Sequence, residues 1–173
     1  LLNGDCLELI KKIPDGGVDL VVTDPPYGMS FQSNYRKEKY NKIDNDETLD
    51  WLEEYISELY RIMKNNTAVY CFCSWHNIDI FKQTFVKYFK LKNIIVWEKN
   101  NTSMGDLKGS YAPKYELVLF AHKGRRLLNG FRYPDIIPAK RTGNQYHPTE
   151  KPVDLLEIFI GESSDENNIV FDG

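Results

Sequence analysis

Val18-Asp19-Leu20-Val21-Val22-Thr23-Asp24-Pro25-Pro26-Tyr27-Gly28 sets a short β-branched run against an abrupt stop. Residues 18–22 read as a strand buried on both faces, because the run is almost continuously apolar. Two consecutive prolines end it, since neither can donate to a strand ladder. A strand of this kind belongs to a mainly parallel sheet, and such sheets bind ligands in the crevice beyond the carboxyl ends of their strands. Asp24, Pro25, Pro26 and Tyr27 therefore occupy the catalytic position. The prolines fix the backbone and leave carbonyl oxygens as acceptors. Asp24 adds an ionised acceptor and Tyr27 a flat face. Two acceptors and a stacking plane suit a planar ring that carries an exocyclic NH₂. The lone pair of such an amine is delocalised into its ring, so the amine is a poor nucleophile. Hydrogen bonds from its two protons to Asp24 and a proline carbonyl favour a more tetrahedral nitrogen. They also stabilise positive charge as that nitrogen attacks an electrophilic carbon. The plain alternative is a strand that happens to end in a Pro-Pro turn.

Helical and strand periods alternate on either side of this stretch. Before it, Leu7, Ile10 and Ile13 fall at helical spacing, Asp5 caps the start, and Pro14-Asp15-Gly16-Gly17 stops the run. After it, residues 28–48 are polar, tyrosine-rich and aperiodic, and read as a long loop, which is uncommon unless functional or mobile. Leu49, Leu52, Ile56, Leu59 and Met63 form an amphipathic helix ended by Asn65-Asn66, followed by a strand at 67–73. Ile78, Phe81, Phe85 and Tyr88 mark a further helix. Strands follow at 93–97 and 115–121, then an aperiodic stretch rich in Gly, Pro and Arg over 122–149. Pro152 suits the first turn of a helix reaching Ile160, and 168–171 looks like a last strand. The class is α/β: a mostly parallel sheet covered on both faces, with 93–97 and 115–121 as an antiparallel edge pair because no helix separates them.

Composition narrows the rest. The 173 residues are 42% hydrophobic and 27% charged, which excludes a largely disordered chain. Three cysteines build no disulfide framework, and no apolar run is long enough to span a membrane, so a cytoplasmic location is expected. The net charge of −3 hides a gradient: residues 1–96 carry −2, residues 97–151 carry +5, and residues 152–173 carry −6. A polyanion would meet the middle segment. Cys71 and Cys73 alternate on a strand and read as buried thiols; no metal site is expected, and the three histidines share no spacing.

With those residues in view, the sequence resembles the S-adenosylmethionine-dependent amino-methyltransferases, which carry Asp-Pro-Pro-Tyr at a strand end and act on adenine N6 or cytosine N4, mostly in DNA. Asn3-Gly4-Asp5-Cys6 resembles the family's opening. Val96 to Asn100 and Tyr115 to Phe120 resemble its two later strands, and His147-Pro148-Thr149-Glu150-Lys151-Pro152 the segment before its cofactor loop. Ile169 to Gly173 resembles the start of that loop, which the resemblance expects to continue past Gly173, so the C-terminal part of the fold is taken to be missing. Catalytic motif first and cofactor motif last is the circularly permuted order of the β class. The resemblance implies a Rossmann-like methyltransferase fold with its last strand inserted antiparallel. It divides the chain into a catalytic region (1–121), a variable basic segment for target recognition (122–149) and the start of the cofactor region (150–173).

It also implies site residues. Asp24, Pro25, Pro26 and Tyr27 are catalytic. Asp5, Cys6, Asp24, Thr149, Lys151, Phe171, Asp172 and Gly173 contact S-adenosylmethionine. Arg125, Arg126, Arg132, Lys140 and Arg141 contact double-stranded DNA, as do Tyr35, Arg36 and Lys37 in a loop expected to close over a flipped base. Asp rather than Ser at position 24 favours adenine N6 over cytosine N4. The expected function is site-specific DNA adenine-N6 methylation in a restriction-modification setting, with a cognate endonuclease and a homodimer as compatible partners. The alternatives are cytosine-N4 methylation and a non-catalytic DNA-binding remnant.

Overall fold

The computed structural model describes residues 3–29, 46–102, 106–143, 147 and 149–173. Most of the long loop read from the sequence, including Tyr35, Arg36 and Lys37, lies outside the described residues.

Strand β1 (Val18–Thr23) is buried except at Asp19 and runs parallel to β2 (Met63–Cys73), with Thr23 opposite Cys71. On its other side it pairs in parallel with β6 (Val170–Phe171). Strands β3 (Lys90–Glu98) and β4 (Tyr115–Lys123) are antiparallel, as a connection without a helix requires. The pair does not sit at the sheet edge, however. Strand β4 lies between β2 and β3 and is antiparallel to both. Its residues Leu117–His122 are buried on both faces, which an edge strand would not be. The outer strand on that side is β5 (Ile136–Pro138), parallel to β3. Three residues with two exposed leave no period to read, so the sequence shows this strand as irregular chain. Among the described residues the order is β5-β3-β4-β2-β1-β6, with β4 alone reversed.

Two layers of helix cover the sheet, and the pleat of β2 sorts its side chains between them. Val69, Cys71 and Cys73 face α1 (Cys6–Ile10), α2 (Leu52–Ile62) and α3 (Ile78–Tyr88). Ala68, Tyr70 and Phe72 face α4 (Val153–Ser163). Tyr70 stacks between Phe120 at 4.7 Å and Phe159 at 4.3 Å, and its hydroxyl meets Ser163 Oγ at 2.8 Å. Burial pushes the Cys73 thiol up to about 12, consistent with an inert core position. Arg61 closes α1 by donating to the carbonyls of Ile10 and Ile13 at 2.9 and 2.8 Å.

The described part of segment 122–149 packs against the rest of the chain. Beyond supplying β5, it covers the end of α4: Asn129 donates through Nδ2 to Ser164 O at 2.6 Å and through its amide to Glu162 O at 2.9 Å. Within it, burial, followed by the charges of Lys92 and Arg126, holds His122 down at about 4. The unfolded ring takes a proton near pH 6.5. Between those values the unfolded chain binds more protons, so this group's contribution is present above pH 6.5 and is lost as pH falls toward 4. His122→Gln removes that titration. The melting temperature is expected to fall less between pH 7 and pH 4 in the variant than in the parent, the difference corresponding to about 2 kcal/mol. Equal falls would contradict it.

Candidate active site

The end of β1 is tied to the last residues of the chain. Thr23 Oγ1 and Tyr55 OH are hydrogen-bonded to each other at 2.6 Å and lie 2.8 and 2.9 Å from Gly173 O, which accepts from the hydroxyl whose proton is not used between them. A Cβ on Gly173 would fall 2.5 Å from Phe171 Cζ and 2.9 Å from Cys6 Sγ, so a side chain there would have to displace both. Asp5 caps α1, its Oδ1 accepting from Leu7 N at 2.8 Å. Burial and then the charges of Asp5 and Asp172 raise the Cys6 thiol; burial and then Asp24 raise Asp172. Asp5, Cys6, Asp24 and residues 171–173 therefore converge at the carboxyl ends of β1 and β6.

Asp24 is the hub of a charged cluster. Its Oδ1 accepts from the Tyr27 hydroxyl at 2.6 Å and its Oδ2 from Lys151 Nζ at 2.7 Å. Lys151 stands 3.2 Å from Glu116 Oε2, and Glu116 Oε1 accepts from Lys99 Nζ at 2.6 Å. Side-chain exposure is 9% for Lys151, 29% for Asp24, 22% for Glu116 and 17% for Lys99. Two acids and two bases balance, as groups this buried require. Burial opposes the charge on Lys151, but Asp24 and Glu116 outweigh it and raise its pKa. Burial likewise opposes ionisation of Glu116, yet Lys151 and Lys99 bring it below the usual carboxylate range. Burial, then the charges of Asp24 and Glu116, push the Tyr27 phenol far above 10, so it acts as a neutral donor.

Two further contacts fix the motif's exit. Asn77 Nδ2 donates to Tyr27 O at 2.6 Å. The buried carboxylate of Asp46 accepts from Gly28 N and Met29 N at 2.8 and 3.1 Å. Gly28 has φ +69°, and a Cβ there would meet Leu49 Cγ at 2.9 Å, so glycine is required.

Known proteins resemble this chain in sequence and in fold. The family model described as DNA methylase (N6_N4_Mtase) matches residues 18–135. The chain belongs to this DNA methylase family. YubD of Escherichia coli strain K12 is 32% identical over 172 residues, covering 99% of this chain and 73% of that protein. The DNA adenine methyltransferase YhdJ of the same strain is 27% identical over 209 residues, covering 99% and 69%. The crystal structure of the M1.HpyAVI–SAM complex superposes with a TM-score of 0.69 at 25% identity, covering 99% of this chain and 80% of that one.

In this methylase the expected site residues separate into groups. Asp24, Tyr27 and Lys151 come together directly, and Thr149 stands beside them, its carbonyl 3.4 Å from Lys151 Nζ. Lys140 and Arg141 follow β5, which runs with β3, and so lie at the same end of the sheet as Asp24. The amide of Arg141 donates to Asn100 Oδ1 at 2.9 Å. Arg132 lines a cavity between β5 and α4, with Tyr70, Ile95 and Phe159. Arg125 and Arg126 do not join the reactive end. Strand β4 runs against its neighbours, so its last residue pairs with Thr67 while Leu117 pairs with Cys73. At about 3.3 Å per residue the two arginines lie roughly 20 Å down the sheet from the Asp24 end. Arg126 instead bonds Asn129 Oδ1 at 2.7 Å and pairs with Asp165 at 3.4 Å.

This separation has a measurable consequence. Arg126→Ala is expected to lower the melting temperature by about 2–4 °C and leave the salt dependence of DNA binding unchanged. Removing both Lys140 and Arg141 is expected to flatten the slope of log affinity against log salt by about 2. Titrations at several salt concentrations, with melting curves on the same preparations, check both; a flattened slope for Arg126→Ala would contradict the assignment.

Glu116, Lys99, Asn77 and Asp46 are the residues that sequence reasoning missed. A signal existed for one: Glu116 is a lone carboxylate opening the apolar run Leu117–Ala121. Nothing in the sequence connects it to Lys151.

Proposed function

We propose that this methylase transfers a methyl group from S-adenosylmethionine to N6 of an adenine swung out of duplex DNA. The observation that carries the reading is Asp24 at the carboxyl end of β1, fixed by Tyr27 and Lys151 and backed by two prolines. Its position suits a carboxylate that accepts from an exocyclic amine. The adenine preference rests on Asp at position 24 and on similarity to the adenine methyltransferase YhdJ.

The residues at the ends of β1 and β6 fit the cofactor. S-adenosylmethionine supplies a methyl group activated by a sulfonium cation, and the carboxyl groups of Asp24 and Asp172 would face it. Asp5, Cys6 and Phe171 would border the rest of the group, with Thr149 and Lys151 on the Asp24 side.

The protein's part in the step is positioning and electrostatics. An adenine inside the duplex cannot reach a methyl donor, and extruding it costs a few kcal/mol. Tyr27 offers its ring to the extruded base. Asp24 and the carbonyl of Pro25 or Pro26 accept the two amine protons, which aims the nitrogen lone pair at the methyl carbon. Positive charge grows on the nitrogen as its bond to the methyl carbon forms and the bond from that carbon to sulfur breaks, and Asp24 stabilises it. Solvent takes the proton afterwards, so no histidine is needed. Lys140 and Arg141 would hold phosphates at this end of the sheet. Tyr35, Arg36 and Lys37 are assigned to DNA by residue type and by lying between Gly28 and Asp46, which are bonded to each other. Digesting a methylated duplex and identifying the product nucleoside tests the proposal: N6-methyladenine is expected. N4-methylcytosine would move the target to cytosine, and no methylated base would overturn the reading.

A further inference from the structure

Both oxygens of Asp24 carry a donor, Tyr27 OH on Oδ1 and Lys151 Nζ on Oδ2. An amine that comes to Asp24 therefore meets an ammonium already in contact with its acceptor. Positive charge grows on the attacking nitrogen, and a second positive charge so close opposes the step unless an anion other than Asp24 neutralises it. Solvent cannot do this, because only 9% of the Lys151 side chain is exposed. The rings of Tyr27 and Phe72, with centroids 5.5 and 5.1 Å from Nζ, line its other sides. Glu116 can: its Oε2 is 3.2 Å from Nζ, against 2.7 Å for Asp24 Oδ2. Lys151 thus stands between two carboxylates, and a shift of a fraction of an ångström decides which one holds it.

We propose that Glu116 is a positioning residue, which takes up the Lys151 ammonium during methyl transfer and so leaves Asp24 free to receive the target amine. This rests on the reading of Asp24 as the amine's acceptor. Lys99 is then a competitor: it draws on Glu116 through Oε1 at 2.6 Å and weakens the hold of Glu116 on Lys151. The two ends of the Lys99–Glu116 pair therefore have opposite effects on the reaction. Loss of the Glu116 charge leaves Lys151 to Asp24 alone and slows transfer. Loss of the Lys99 charge leaves Glu116 wholly to Lys151 and does not slow it. A purely structural ion pair behaves otherwise, because removing either partner strands a buried charge and harms the protein in the same direction.

The test is single-turnover methyl transfer by the full-length protein at saturating S-adenosylmethionine and duplex. Parent, Glu116→Gln, Glu116→Asp and Lys99→Met are compared, with duplex affinity by fluorescence anisotropy and melting temperature on the same preparations. Glu116→Gln is expected to transfer about a hundredfold more slowly with duplex affinity little changed. Glu116→Asp, whose shorter side chain keeps the charge but sets it farther from Lys151, should fall between Glu116→Gln and the parent, and Lys99→Met should stay within tenfold of the parent. Lys99→Met slowed more than tenfold, or Glu116→Gln within tenfold of the parent, would overturn the proposal. Should Glu116→Gln fail to fold, Glu116→Asp and Lys99→Met decide alone: a slowed Asp variant beside an unimpaired Met variant supports the proposal, and the reverse overturns it. A parent that transfers to cytosine changes the target but not these ratios, whereas a parent that transfers no methyl overturns this inference together with the function on which it rests.

Discussion

Asp24→Asn is expected to slow methyl transfer by about 10²–10³-fold while the protein remains folded. The substitution keeps the shape of the side chain and removes the charge that stabilises a cationic nitrogen. Its position at the end of β1, rather than in the middle, argues for a tolerated change. The structure adds a cost that the sequence does not show. Lys151 is 9% exposed and loses one of its two carboxylates, retaining Glu116 at 3.2 Å. Stability should fall by about 1–3 kcal/mol, less than the loss of a buried charge's only partner. Melting curves and single-turnover rates on one preparation separate the two effects. Transfer within tenfold of the parent would remove Asp24 from the chemistry.

Tyr27→Ala is expected to cut kcat/KM by about tenfold to a hundredfold, because base–aromatic stacking is worth about 1–3 kcal/mol. Tyr27→Phe keeps the ring and loses the 2.6 Å bond to Asp24. Its effect should be a fewfold reduction, since Lys151 still orients the carboxylate from Oδ2. The phenol's pKa lies far above 10, so the hydroxyl supplies no proton in the step. Steady-state rates on one duplex compare the two variants. If Phe is as slow as Ala, the hydroxyl rather than the ring carries the function.

The elements legible in the sequence were those whose residues sort by period. Val18–Thr23 reads as buried strand because it lies between two neighbours and under helices on both faces. Helix α2 reads clearly because Leu52, Ile56 and Leu59 repeat on its core side. Strand β5 was illegible, since three residues cannot show a period and Pro138 argues against any strand. The reversal of β4 could be inferred from the missing helix before it, but its place inside the sheet could not, because strand order is set by pairing between distant segments. The same limit applies to the site. Asp24 to Tyr27 form a contiguous motif and announce themselves. Lys151 is 127 positions from Asp24 in sequence and Glu116 is 35 from Lys151. Only the fold brings the three together. Charge clustering carries no spatial information: Arg125 and Arg126 add to the basic middle segment, and β4 carries them to the far end of the sheet, where Arg126 meets Asp165.

The central claim, that Asp24 receives the exocyclic amine, can be measured without any turnover. Two duplexes are needed, one with adenine at the target and one with purine, which has hydrogen in place of the 6-amino group. Purine pairs more weakly and leaves the helix at lower cost, so the informative quantity is the ratio of the two affinities in the parent against the same ratio in Asp24→Asn. The account predicts that the ratio shifts against adenine by about tenfold in the variant, equivalent to about 1.4 kcal/mol. A ratio that is the same in both proteins would contradict it.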